Sequence, residues 1–148
     1  MSFAANTLVS PERSRLDIER LVIRHGATAF TSEWDQEGSV IGFRLKDRQI
    51  RFHLPLPRPE AFGQTPGGKP RDRRAQESVH GQAVRQRWRA LLLCIKAKLE
   101  AVEAGITTLE EEFLAHIVVP GQDATVGELL VPQLRGKGPI ALPSHSQA

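Results

Sequence analysis

The sequence predicts an α+β fold: an N-terminal helix, a three-stranded antiparallel sheet, a long helix packed on the sheet, and two short C-terminal helices. Three observations carry this. Val84, Trp88, Leu91, Leu92, Ile95, Leu99 and Val102 recur at steps of three and four, the apolar stripe of a helix. Residues 40–57, VIGFRLKDRQIRFHLPLP, alternate apolar and polar on both sides of a polar turn, the pattern of a half-buried hairpin. A sheet this small needs a covering layer, and the long helix with the first one supplies it.

Taken in chain order, Ser10-Pro11-Glu12 opens the first helix with a capping hydroxyl and a proline at the first helical position. It runs from Pro11 to Arg24, with Ile18, Leu21 and Val22 inward. Arg15–Glu19 is a helpful pair four apart, and Arg20–Arg24 a mildly repulsive one. Gly26 suits the left-handed cap. Ala27 to Trp34 is a strand with Phe30 and Trp34 on one face, and Asp35–Gly38 is a turn. In the hairpin, Ile41, Phe43, Leu45, Ile50, Phe52 and Leu54 form the oily face; Arg44, Lys46, Arg51 and His53 form the positive one. Pro55, Pro57 and Pro59 stop the sheet.

Residues 58–76, rich in Pro, Gly and Arg, have no apolar period and read as a long mobile loop. The pattern turns helical from about Glu77; Gly81 weakens the first turns, and the long helix is firm from about Gln82. Gly105-Ile106 caps its end. Thr108-Leu109-Glu110-Glu111 is a capping box that opens a shorter helix carrying Leu109, Phe113, Leu114 and Ile117, stopped by Pro120-Gly121. Thr125-Val126-Gly127-Glu128 repeats the spacing before a last turn, Glu128 to Leu134. Residues 1–134 thus form one domain, and 135–148 a flexible tail.

One cysteine, no apolar run near the about 20 residues of a membrane span, and no signal-peptide pattern together predict an intracellular protein with no membrane contact. The formal net charge of +3 hides a segregation. Residues 1–39 hold four basic and six acidic side chains, residues 40–99 fourteen and four, and residues 100–134 no Lys or Arg and seven carboxylates. This asymmetry suggests a polyanionic partner for the middle of the chain. The alternative is that the two halves neutralise each other in the fold or across a homo-oligomer interface.

Sites of chemistry are sparse. Gly63–Lys69 matches the start of the phosphate-binding loop pattern, but Pro70 stands where Ser or Thr would hold magnesium, and neither a buried strand nor a helix adjoins it. Glu112 and His116, four apart, read as a surface pair and not a metal site. Cys94 reads as a small core or helix-flank residue. Glu110, Glu111 and Glu112 suit a helix start. No catalytic residue, metal or cofactor is expected, and the protein is not expected to be an enzyme. The cations remain. Arg44, Lys46 and Arg51 lie on the hairpin, with Lys69, Arg71, Arg73 and Arg74 in the loop; Arg85, Arg87 and Arg89 flank Trp88. Such clusters neutralise phosphates. Single strands also favour exposed aromatics, for which Phe62 is the clear candidate.

The stretches RHGATAF (Arg24–Phe30), IRFHLPLP (Ile50–Pro57), RWRALLLCIKAKLEAVEAGI (Arg87–Ile106) and EEEFLAHIV (Glu110–Val118) resemble a family of short uncharacterised bacteriophage and prophage proteins. The resemblance covers roughly residues 11 to 131 and carries over no functional residue. It implies a viral genetic context and hence the host cytoplasm. In topology alone, three strands then a long helix is similar to the core of single-strand annealing proteins, whose subunits form rings around a basic groove. Helix–three strands–helix is also the order of double-stranded RNA-binding domains, whose Gly-Pro-x-His loop is absent here.

The expected function is therefore non-enzymatic binding of DNA or RNA through Arg44, Lys46, Arg51, Lys69, Arg71, Arg73, Arg74, Arg85 and Arg89. The alternative is a protein-interaction adaptor or host-factor inhibitor that uses the acidic stretch Glu100–Glu128.

Overall fold

A computed structural model describes residues 7–141. Helix α1 spans Pro11–Arg24, and the Ser10 hydroxyl accepts from the Arg13 amide at 3.1 Å. Strands β1 (Ala29–Asp35), β2 (Gly38–Leu45) and β3 (Arg48–Pro55) form one antiparallel sheet in that order. β1 starts two residues later than the sequence predicts, because Ala27 is still tied to Val22 at the helix end. The β2–β3 turn is Lys46-Asp47, both at positive φ (47° and 62°), which matches the sheet's twist.

Helix α2 spans Arg73–Glu103, α3 Leu109–Glu112 and α4 Val126–Leu134. α2 starts nine residues before its expected firm part, since Asp72 caps it by accepting from the Ala75 amide at 2.7 Å. Its end is a Schellman turn: the Gly105 amide bonds to Val102 and the Ile106 amide to Ala101. Ile106 itself stays 80% exposed, so the expected hydrophobic follower makes no cap contact. The third helix also departs from expectation. It breaks at Phe113 (φ −100°, ψ 11°), and a 3-10 turn, Leu114–His116, follows.

Alternation sends Ile41, Phe43, Leu45, Ile50, Phe52 and Leu54 to one face of the sheet. There they join Ile18, Leu21 and Val22 of α1 and Trp88, Leu91, Leu92, Ile95 and Leu99 of α2 in one core. Phe113 is fully buried and meets Phe43 and Phe52 edge-on, at 6.2 Å between centroids. The chain after α3 covers the outer edge of β3. Ile117 bridges Ile50, the Val118 amide bonds to Gln49, and residues 118–125 fold back on themselves.

Residues 58–72 carry more structure than the composition suggests. Pro59–Phe62 is a 3-10 turn, and Gln64 bridges Pro70 around a tight turn at Gly68 (φ 86°). Gln76 and His80 of α2 bond to the carbonyls of Pro59 and Pro57, both at 2.8 Å. The expected tail lies outside the described residues from 142 onward. Before that, Gln133 holds Ala141 by two bonds of 2.7 and 2.8 Å. Among the described residues, no helix is long and apolar enough to cross a membrane.

Candidate nucleic-acid interface

The hairpin's cations stand on the face of the sheet turned away from the helices, because Arg44, Arg51 and His53 alternate with the buried residues. Arg51 is already occupied. Its guanidinium binds Asp123 at 2.8 Å and Glu128 at 3.5 Å, and His53 lies 3.4 Å from the same Glu128. The hydrogen bond from Asp123 leads in raising the Arg51 pKa above its ordinary value against partial burial, and the charge of Glu128 adds to it. For Glu128 partial burial pushes upward, but the Thr125 hydroxyl, Arg51 and His53 together hold its carboxyl below the usual value. Arg48 is likewise paired with Glu110 at 3.4 Å. Arg44 is exposed, and its side chain has no hydrogen bond or ion pair.

The loop cations divide in two. Arg71 is structural, since its Nη1 donates to the carbonyls of Phe62 (3.2 Å) and Gln64 (2.8 Å) and closes the loop. Arg73 pairs with Glu77 at 3.1 Å, whereas the side chains of Lys69 and Arg74 are exposed and unpaired. Phe62, the expected stacking residue, is half-buried against His80. On α2, Arg85 bonds to Gln82 at 2.7 Å, Arg87 to the Pro55 carbonyl at 3.2 Å, and Arg89 to Asp17 of α1 at 3.5 Å.

These groups do not converge. Hairpin and α2 lie on opposite sides of the sheet's plane, and sixteen residues of helix separate Arg73 from Arg89, about 24 Å of axial rise. The nine cations named from the sequence are therefore spread over more than one side of the fold. The C-terminal carboxylates occupy Arg48, Arg51 and His53 on the hairpin and leave Arg44 and Lys46 unpaired.

A different set of cations does come together. α1 and α2 pack side by side and leave a cleft of about 350 Å³ lined by Arg20, Arg24, Arg89 and Lys96, with Leu21 and Leu92 at its floor. It adjoins a larger cleft of about 790 Å³, reached by Lys46 and floored by Leu45 and Leu99. Leu21, Arg24 and Lys96 line both. Arg20, Arg24 and Lys96 are exposed, and their side chains have no hydrogen bond or ion pair. Asp17, the acid in the smaller cleft, is held by Arg13 at 3.1 Å and by Arg89. The far end of the larger cleft is acidic, with Glu100 and with Glu103 bound to His25 at 3.3 Å. The sequence showed the signal as the repulsive Arg20–Arg24 pair. Lys96 could be added to it only once α1 was laid against α2.

The remaining motifs resolve differently. A helix does follow Gly63–Lys69, at Arg73, but its N-terminus is capped by the Asp72 carboxylate, where an anion would otherwise sit. Glu112 and His116 form no pair. The break at Phe113 turns Glu112 toward Lys98 (3.5 Å) and His116 onto Phe52 (centroids 4.0 Å apart). The expected ion pair Arg15–Glu19 is replaced by Arg13–Asp17. Cys94 is exposed on α2's flank. Among the described residues, no three His, Cys, Asp or Glu gather as metal ligands. No family profile, curated protein or solved structure matches the chain.

Proposed function

We propose that the protein binds nucleic acid without catalysis, by neutralising backbone phosphates in the cleft between α1 and α2. The observation that carries this is the convergence of Arg20, Arg24 and Lys96, all free of carboxylate partners, on one concave surface. Arg20 and Arg24 stand one helical turn apart, about 6 Å, and Lys96 faces them from α2. Such a constellation leaves three like charges uncompensated, which a folded chain tolerates at a surface and a polyanion relieves. Lys46 extends the positive track into the larger cleft, while Arg89 is paired with Asp17. The basic sequence pI of about 9.5 favours the same class of partner.

The test is titration of labelled single-stranded DNA, duplex DNA and RNA at several salt concentrations. The logarithm of affinity is expected to fall with that of salt by about 0.7 to 0.9 per phosphate contact. The triple substitution Arg20→Gln, Arg24→Gln and Lys96→Gln should flatten that slope by about two to three units. Arg51→Gln, which removes a paired cation, should leave it unchanged. Absence of binding at low salt, or a triple variant that binds as the parent does, would overturn the proposal. The adaptor reading has its own observation: Ile106 and Leu114 are 80% and 51% exposed beside the acidic stretch. Capture of one defined protein that is lost on Ile106→Asp, together with no nucleic-acid binding, would favour it.

A further inference from the structure

The two edges of the sheet are treated differently. The β3 edge is closed by Ile117 and Val118, whereas β1 pairs with β2 alone. β1, AFTSEWD, is seven residues long and has no proline, lysine or arginine, devices by which natural edge strands discourage pairing. At its end Trp34 is 84% exposed, a large aromatic side chain that a fold ordinarily hides.

The geometry points to β1 as the contact with a second copy of this chain, through antiparallel pairing of the two β1 edges about Ser32. A closed two-fold contact requires a self-complementary surface, and this register provides one. It sets Trp34 opposite Phe30 of the other copy. Both belong to the helix-covered face, since Phe30 pairs with Phe43 and Trp34 with Ser39 in the register of β1 on β2. Phe30 is half-buried against the core, so each indole would extend the other copy's apolar layer. Aromatic pairs directly across strands are among the favourable ones.

Charge agrees with the same register. Asp35 falls opposite Ala29 of the other copy, and Ala29 is the neighbour of Arg44 across β1–β2. The Arg44 side chain has no bond within its own chain, and it stands on the same face as Asp35. Its long side chain can span Ala29 to reach the partner's carboxylate. Glu33 falls opposite Thr31, so no like charges meet directly. Pairing about Thr31 instead would place Trp34 opposite Thr28, outside the strand, and lose the aromatic contact. The result is a six-stranded sheet with both helical layers on one side. It is independent of the cleft between α1 and α2.

The experiment is sedimentation of nuclease-treated full-length protein from micromolar to submillimolar concentration, with tryptophan emission followed over the same range. A monomer–dimer equilibrium is expected. Its onset should coincide with a blue shift from Trp34 while Trp88, 5% exposed, stays constant as an internal reference. Trp34→Ala should weaken the dimer about tenfold or more, as a central aromatic anchor does, and Arg44→Glu should weaken it several-fold by facing Asp35 with like charge. Both positions are exposed, so both variants should keep the parent's circular dichroism. Hydrogen exchange adds a readout that needs no variant: amides of residues 29–35 should gain protection with concentration. A monomer throughout, or a dimer indifferent to both substitutions, would overturn the inference.

Discussion

His116 shows how one residue's setting departs from what its spacing suggests. Four places after Glu112, it reads as half of a surface pair. The helix ends at Phe113, and the ring lies instead on Phe52, at 17° to it, half-buried. That burial comes first and the charge of Lys98 second in lowering its pKa below the ordinary 6.5. The consequence for stability has a definite sign. Above about pH 7 both folded and unfolded imidazoles are neutral. As pH falls through the unfolded value, the unfolded chain takes up a proton that the folded chain resists. Stability therefore drops until the folded value is passed. Glu128 also loses stability in acid, but its window lies lower, below the ordinary carboxylate value of 4.5. Melting temperatures between pH 8 and pH 5 are expected to decline for the parent, and the decline should be shallower for His116→Gln. Equal slopes would place the titrating group elsewhere.

At the scale of elements, legibility followed the source of each element's stability. α1 was legible from Ser10 to Arg24 because its capping hydroxyl, proline and apolar stripe are all local. The hairpin was legible because its two faces alternate strictly, although Lys46-Asp47 lacks the Asn-Gly signature of its turn type. Residues 58–72 were illegible because no apolar period holds them. Backbone bonds and the side chains of Arg71, Gln76 and His80 do so, and none of these repeats along the sequence. The start of α2 was missed for a related reason. Asp72 is an ordinary cap, but the Arg-rich turn after it has no fully buried residue and no apolar stripe, so the pattern reads as helical only from about Glu77. Gly81 sits inside a continuous 31-residue helix. A Cβ there would meet the Arg85 Nη1 at 3.3 Å, the tip of a flexible side chain that can move aside. Gly81→Ala should accordingly raise stability by about 0.5–1 kcal/mol through helix propensity, read as a higher urea midpoint with an unchanged slope. A lower midpoint would mean that the Arg85–Gln82 bond constrains this turn more than propensity favours it.

For the whole molecule, the charge segregation along the chain is answered internally only in part, on the acidic side more than on the basic one. Glu110, Glu112, Asp123 and Glu128 answer Arg48, Lys98 and Arg51 across 14 to 77 residues of sequence. Sequence could count these charges, but could not show that the chain after α3 returns along β3 and lays its acids over the hairpin. What the folding leaves unanswered lies mainly in the helical layer, where Arg20, Arg24 and Lys96 gather on the side of the sheet away from Arg51. The two faces can be separated experimentally by releasing Arg51. Asp123→Asn with Glu128→Gln removes two carboxylates, and the Thr125 cap persists because its hydroxyl accepts from the residue 128 amide. The carboxylates are exposed, Asp123 at 96% and Glu128 at 42%, but Arg51 is only 21% exposed, so the loss in stability should be about 1 kcal/mol. If phosphates bind in the cleft between the helices, the freed Arg51 lies across the sheet from them. The salt slope of nucleic-acid binding should then match the parent's. A slope steeper by about one contact, 0.7 to 0.9, would instead route the strand over the sheet's outer face. The acidic C-terminal segment would then be a competitor for the nucleic acid's own site, and the assignment to the helical cleft would fail.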